Sequence, residues 1–371
     1  MPLDYRLEFD DGTAIGITGG RIADPNGRFD LVVPLGPGEL RPGLINAHDH
    51  LHRNHYPRLG APPYRDAYAW GTDLHTRYAA ELDRLRALGR REALLFGALK
   101  NLVGGVTTVV HHDPWEPAFD IEFPVHVVRV RTVHSLRFER DFASAVAGDV
   151  ATRARPMCIH LAEGTNREAA EEVRELATLG LLDRRVLAVH VVGVDHDGIQ
   201  RARAAGIAIV WCPTSNHFLF ERTAPPALLA PGVDVLLGSD ALLTGDGTLL
   251  DELRAARRLG YLDDARLLDA VGAVAARRLG CPEPSLATGA SADLVVLRRP
   301  LFEARAADVA LVIVSGTPCY GDERFGELFE RAGVSVESLR VGGVRKVVAA
   351  PLAAVAERVV ELAPTCGRIF D

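Results

Sequence analysis

A barrel of the (β/α)8 TIM type is the fold this sequence predicts, on three observations. Through the middle of the chain, apolar runs of strand length alternate with helical stretches, the pattern of βα units around a parallel sheet. Several of those runs close on a histidine or aspartate, and in a parallel barrel reactive groups gather where strands end. Both ends of the chain have a different texture, short strand-like pieces separated by turns, which predicts a small β-sandwich domain built from the two termini.

Residues 1–40 carry the first of these pieces, Thr13-Ala-Ile-Gly-Ile-Thr and Asp30-Leu-Val-Val-Pro, with Gly19-Gly20 between them. Pro42-Gly43 marks the entry to the large domain, expected over 41–289. Strands are expected there at 44–50, 106–111, 156–160, 186–190, 207–212 and 234–239. Helices are expected at about 79–103, 166–179, 196–205, 247–259 and 264–279. Thr165-Asn-Arg-Glu168 has the spacing of a capping box, with Thr165 as the N-cap. Between Asp113 and Cys158 lie 44 residues with one strand candidate, Val125 to Val133, and one helix. A single βαβ unit takes ~30 residues, so the barrel is expected to be shortened or distorted near its third and fourth strands. From residue 290 to 371 the small domain resumes, with strands at Ala292–Leu297 and Val309–Val314 and a hairpin around Gly342-Gly343.

A length of 371 residues allows this organisation, and 48% hydrophobic with 25% charged residues is ordinary globular composition. The net charge of −7 gives no basic surface for nucleic acid. Five cysteines without a CxxC pair fit a reducing compartment. The N-terminus lacks a basic-then-apolar leader, and no apolar run nears the ~20 residues that cross a bilayer. The expectation is a cytoplasmic enzyme for a small molecule, without nucleic-acid or membrane partners; homo-oligomerisation is left open.

The chemistry is carried by the strand ends. His48 and His50 in Leu44-Ile-Asn-Ala-His-Asp-His are two residues apart on a strand, so both face one side and can grip one ion, while Asp49 faces the other way. His160 and Asp240 end two further strands. Imidazole and carboxylate suit a borderline divalent metal, and a cation so held makes water a nucleophile near neutral pH. Glu163, two residues past His160-Leu161, is placed to carry a proton once a dry pocket raises its pKa. His190, ending Val186-Leu-Ala-Val-His, is expected at the same mouth as a ligand or a partner of the attacking oxygen. His52, His112 and His217 are the candidates for touching substrate. Gly238-Ser239 before Asp240 predicts a close chain approach.

Taken together, Pro42-Gly-Leu-Ile-Asn-Ala-His-Asp-His, Gly105-Val-Thr-Thr-Val, His160-Leu-Ala-Glu163, Val186-Leu-Ala-Val-His190, Trp211-Cys-Pro-Thr-Ser-Asn216 and Gly238-Ser-Asp240 resemble the amidohydrolase superfamily. HxxE, then His, then Cys-Pro-Thr-Ser-Asn is similar to its branch of cytosine, guanine and adenosine-type deaminases and triazine hydrolases. The resemblance implies one divalent metal, zinc with iron as the alternative, held by His48, His50, His160 and Asp240. It also implies Glu163 as proton shuttle and His190 near the nucleophilic water. Binuclear members commonly bridge two ions with a carboxylated lysine after the fourth strand, and the chain's two lysines, Lys100 and Lys346, lie far from such a place. The expected reaction is hydrolysis of a non-peptide C–N bond, deamination of an amino-heterocycle first. Hydrolysis of a cyclic amide, as in imidazolonepropionase-like members, is the alternative. A barrel serving only as a binding protein is the reading of a different class.

Overall fold

A computed structural model describes residues 3–139, 141–147 and 154–371. Eight parallel strands among these residues form a TIM-barrel-like α/β architecture, in two ladders. The first ladder joins β6 (Leu44–Asp49), β7 (Val106–His111) and β8 (His126–Val127). The second runs β9 (Arg131–Val133), β10 (Met157–Leu161), β11 (Val186–His190), β12 (Ala208–Trp211) and β13 (Val235–Leu237). All residues of β6, β10, β11, β12 and β13 are buried, as continuous apolar runs require when both faces of a sheet are covered. The ring is not closed by ladders. At one opening the amides of Ser239 and Asp240 both donate to the His48 carbonyl at 3.0 Å, tying the end of β13 to β6. At the other, β8 and β9 follow each other without a helix between them. The run Val125–Val133, expected as one strand, is thus two short ones on either side of the gap.

Three sequence expectations for helices are corrected, and one helix is added to them. The stretch 79–103 is two helices, α2 (Ala79–Leu85) and α3 (Arg90–Val103). Gly89 between them is extended, and its N–H donates to Glu92 Oε2 at 3.3 Å, starting α3 afresh. A helix before them, α1 (Ala67–Arg77), was not expected; its buried residues are only Ala67, Gly71 and Leu74, too sparse an apolar stripe to read. The stretch 264–279 divides at Gly272 into Asp264–Ala270 and Ala273–Leu279. The helix Arg167–Thr178 is capped by Asn166, whose side chain accepts from Ala169 N, one residue later than the expected Thr165, whose own N–H is taken by the Arg65 carbonyl. The strand expected at 156–160 runs one residue further, so His160 is its penultimate residue.

α3 is buried over its whole length from Ala93 to Val103 and packs beside β7 and the turn Leu51–Arg53 that follows His50. Gly97 makes that approach feasible, because a Cβ there would meet the Leu51 carbonyl oxygen at 2.3 Å. One helix thereby braces the turn that follows the first two histidines.

The chain ends contribute two further sheets. One orders β3 (Arg21–Ala23), β2 (Ala14–Thr18), β1 (Tyr5–Glu8) and β4 (Leu31–Pro34). The other orders β17 (Val336–Val341), β18 (Val344–Ala349), β16 (Thr317–Asp322), β15 (Val309–Val314), β14 (Leu294–Leu297) and β5 (Glu39–Pro42). Tyr5, Leu7 and Ile17 of the first share a core with Leu294, Val296 and Leu311 of the second. Pro42 pairs with Leu294, and Gly43 N donates to the Asp293 carbonyl at 2.8 Å, so the chain enters and leaves the α/β part side by side. No helix among the described residues is long and apolar enough to cross a membrane.

Candidate metal and active site

The strand ends converge. His50 Nε2 lies 3.4 Å from His160 Nε2 and 3.8 Å from Asp240 Oδ1. His48 Nε2 lies 3.6 Å from the same carboxylate oxygen. His190 Nε2 is 4.0 Å from Asp240 Oδ2 and 3.6 Å from Glu163 Oε1. Sequence separations of up to 192 residues collapse to one cluster because each side chain lies at or just beyond the C-terminal end of a parallel strand, at the same mouth.

Outer partners decide where each imidazole carries its proton. His50 Nδ1 faces Asp113 Oδ2 at 2.6 Å, His160 Nδ1 faces the His134 carbonyl at 2.8 Å, and His190 Nδ1 faces Asn216 Oδ1 at 2.7 Å. All three partners are acceptors, so Nδ1 carries the proton and each Nε2 is a bare lone pair. For His48 the same result comes through one more ring. His112 Nε2 donates to the Val133 carbonyl at 3.0 Å, which leaves His112 Nδ1 to accept from His48 Nδ1 at 3.2 Å. His48 Nε2 is then also a lone pair, and it is buried with no hydrogen-bond partner. Four lone pairs and a carboxylate oxygen facing one another with no donor between them form an acceptor set that calls for a cation. Nitrogen and oxygen donors of this kind fit a divalent transition metal such as zinc.

The backbone is bent to make this possible. Ala162, His190 and Asp240 have φ of 51°, 71° and 51°, left-handed values that non-glycine residues avoid and that cluster at functional sites. Asp240 is fixed on all sides: Ala241 N donates to Oδ1 at 2.8 Å, and the Ser215 and Thr244 hydroxyls donate to Oδ2 at 2.7 and 2.8 Å. Gly238 permits the close approach expected of it, since a Cβ there would meet His48 Cβ at 2.6 Å.

Glu163, His50, His160, His190 and Asp240 line a cavity of about 660 Å³. Its lining also includes the apolar and aromatic Trp70, Leu74, Phe138 and Leu243 and the basic or polar His52, Arg53, His55 and Arg90. Burial pushes the Glu163 carboxyl well above its ordinary value, and the neighbouring charge of Asp240 pushes it further. His52 lies in the wall. His112 sits behind His48 and outside the wall, and His217 is exposed on the helix Pro213–Phe220, also outside it. Sequence reasoning did not assign Asp113, Ser215, Asn216 or Thr244. The Thr-Ser-Asn run stood in a quoted motif and Asp113 just beyond another, but nothing local says which histidine or carboxylate they serve.

Acid should loosen this arrangement when no metal is bound. Burial lowers His50 to about 3, His52 to about 2, and His55, His111, His134 and His190 to about 4. Unfolded, the same groups take up protons near 6.5. Their contribution to stability is therefore complete above about pH 6.5 and is lost as pH falls through that value toward the folded pKa values. The urea midpoint of chelator-treated protein should drop steeply between pH 7 and 5; a flat profile would contradict neutral, buried imidazoles.

Residues 136–319 match the model of the amidohydrolase family. The 5-methylthioadenosine/S-adenosylhomocysteine deaminase of Haloarcula marismortui is 27% identical over 354 residues, covering 79% of this chain and 80% of that enzyme. The aminodeoxyfutalosine deaminase of Deinococcus radiodurans is 42% identical over 113 residues, which span 29% of this chain and 27% of that enzyme. Among solved structures, a zinc-bound adenosine deaminase from Xanthomonas campestris aligns with a TM-score of 0.66 at 18% identity, covering 98% of this chain and 99% of that one. Zinc-complexed atrazine chlorohydrolase from Arthrobacter aurescens aligns with a TM-score of 0.70 at 16% identity, covering 96% and 99%.

Proposed function

We propose that the chain is a member of the amidohydrolase family and, as such, a metal-dependent hydrolase that deaminates an amino-substituted heterocycle of small-molecule size. The observation that carries the reading is the inward set of four Nε2 lone pairs and Asp240 Oδ1 beside Glu163, whose carboxyl burial raises well above its ordinary value. His48, His50, His160 and Asp240 would hold a divalent ion, zinc first and iron as the alternative. Such an ion supplies Lewis acidity, which makes water a usable nucleophile near neutral pH.

One ion is favoured over two. Lys100 Nζ is engaged behind the site by Asp49 Oδ2 and the Asp240 carbonyl, and Lys346 lies in β18, so neither offers a bridge. The nearby group His52, His111 and Asp113 is a poor second site. His111 Nδ1 accepts from Leu51 N, which leaves the proton on Nε2, and Asp113 is already bound by His50 and Arg53.

The side chains divide the proton work. Asp240 and His190 Nε2 are acceptors facing the space where water would attack, and either can take its proton. A bare Nε2 takes a hydrogen bond; His190 can steady an oxyanion only after it has gained a proton. Glu163, whose protonated form burial favours, hands its proton to the leaving nitrogen, turning a poor leaving group into ammonia. The aromatic and apolar part of the cavity lining (Trp70, Phe138, Leu74) offers a face for a flat ring. We read the two terminal sheets, from residues 1–40 and 290–371, as one small β domain that braces this barrel, and the protein as cytoplasmic without nucleic-acid or membrane partners.

The test has two parts. Elemental analysis of gently purified protein should find about one zinc or iron per chain. Amino-heterocycles, nucleosides included, should then release free ammonia on incubation, and chelation should stop it. Ring opening without ammonia would move the assignment to cyclic amide hydrolysis. Absence of metal even after reconstitution would overturn the enzyme reading.

A further inference from the structure

The Asp240 carboxylate is held by three donors, and a buried cation holds its backbone carbonyl. Lys100 is one of two lysines in the chain and is 1% exposed. It projects from α3, whose neighbours from Ala93 to Val103 are all buried. Its Nζ donates to Asp49 Oδ2 at 3.2 Å and to the Asp240 carbonyl at 2.5 Å. Burying an ammonium is expensive unless it is paired, and an apolar side chain would fill the same space without that cost. Charge balance with Asp49 explains one of the two bonds. It does not explain the other.

The second bond has a geometric consequence. Asp49 stands between His48 and His50, and two further amides pin its carboxylate, Asn101 Nδ2 to Oδ2 and Asn54 Nδ2 to Oδ1, each at 2.8 Å. Asp240 sits at φ 51°, with its N–H given to the His48 carbonyl. Its own carbonyl takes the Ser239 hydroxyl at 3.3 Å and, more closely, the Lys100 ammonium at 2.5 Å. One ammonium thus links the residue between two histidines on β6 to the residue at the end of β13, where no strand ladder joins them.

We propose that Lys100 is a positioning residue: by donating to the Asp240 carbonyl it sets Asp240 Oδ1 against the Nε2 atoms of His48 and His50, while Asp49 supplies its counter-charge. The inference rests on the metal site proposed above.

The probe is Co²⁺ alone, whose visible absorption reports ligand geometry, with binding titrated against a chelator and thermal melting recorded for the same metal-free proteins. Three chains are compared with the parent: Asp49→Asn, Lys100→Met, and the double variant Lys100→Met/Asp49→Asn. Asp49→Asn leaves the Lys100–Asp240 bond and should keep the Co²⁺ spectrum and affinity. In the double variant the buried charge imbalance is gone, so its melting should return close to that of Asp49→Asn. Its Co²⁺ affinity should nevertheless stay about 10–100-fold weaker with an altered spectrum, the range expected when an outer partner of a ligand is removed. With a substrate from the ammonia screen, kcat should fall and KM should change little.

Recovery of the parent spectrum and affinity in the double variant would show that Lys100 only neutralises Asp49, and would overturn the proposal. Equal loss in Asp49→Asn alone would overturn it too. If the double variant does not melt cooperatively, Lys100→Gln/Asp49→Asn is judged by the same criteria. A parent chain that binds no Co²⁺ would remove the metal site itself, a result distinct from any variant-specific outcome.

Discussion

Asp240→Asn should abolish turnover while leaving the fold in place. The substitution is nearly isosteric, and the Ser215 and Thr244 hydroxyls that donate to Oδ2 can rotate to accept from an amide. Ala241 N keeps an oxygen acceptor if the new carbonyl takes the place of Oδ1. What disappears is the negative charge facing the Nε2 atoms of His48 and His50 at 3.6 and 3.8 Å. A neutral amide there binds a divalent cation more weakly and cannot take a proton from water. Loss of a proton acceptor alone costs about 10²–10⁴-fold in rate, and weaker metal retention adds to it. Steady-state ammonia release, metal content and a thermal melt on one preparation check this. Near-parent activity in a folded Asp240→Asn protein would sink the proposed chemistry.

Glu163→Gln should separate metal binding from proton transfer. The Glu163 side chain lines the cavity, and its nearest titratable neighbour is His190 Nε2, 3.6 Å away. Its carboxyl is raised well above its ordinary value by burial and by Asp240, which favours the protonated form that the leaving nitrogen needs. Glutamine keeps the shape and a hydrogen-bonding end but cannot give up a proton. The expected result is parent-like metal content with kcat reduced about 10²–10⁴-fold. A substrate whose leaving group needs no protonation should suffer much less from this change. Loss of metal instead would make Glu163 a ligand, an arrangement its grouping with His160 and His190 within ligand range allows.

The strands that carry the site were readable because each is a short, wholly buried apolar run, and such runs announce themselves without help from distant residues. β7, β11 and β15 have the bounds expected of them. Elements whose limits depend on single capping events were less readable: Gly89 with Glu92 splits a helix, and Asn166 rather than Thr165 starts another. α1 was invisible because its buried face has a glycine and an alanine where a stripe of large apolar residues would show. In the site, side chains at strand ends could be proposed from sequence, and the structure brings His48, His50, His160, Glu163, His190 and Asp240 together. Their outer partners could not be, since Asp113 lies 63 residues from His50 and Asn216 lies 26 from His190. His112 shows the limit well: a histidine in a reactive-looking motif spends both nitrogens on His48 and the Val133 carbonyl and has no face left for a substrate. Lys100 was noticed only for where it was not. On a helix buried all round, no periodicity marks the one polar group that matters.

The hydrogen bond from Gly43 N to the Asp293 carbonyl, with Pro42 beside Leu294, has a consequence for how this architecture can change. Everything between those two points forms a closed loop of about 250 residues, and holding its mouth shut costs about 5 kcal/mol of chain entropy that grows only logarithmically with length. Insertions or deletions in the α/β part therefore alter that cost very little, so a lineage can drop a helix, as between β8 and β9, without disturbing the doorway. The same doorway makes the α/β part a natural graft: it leaves and rejoins its host through adjoining strands, and a replacement of different size needs only the same narrow spacing at its ends.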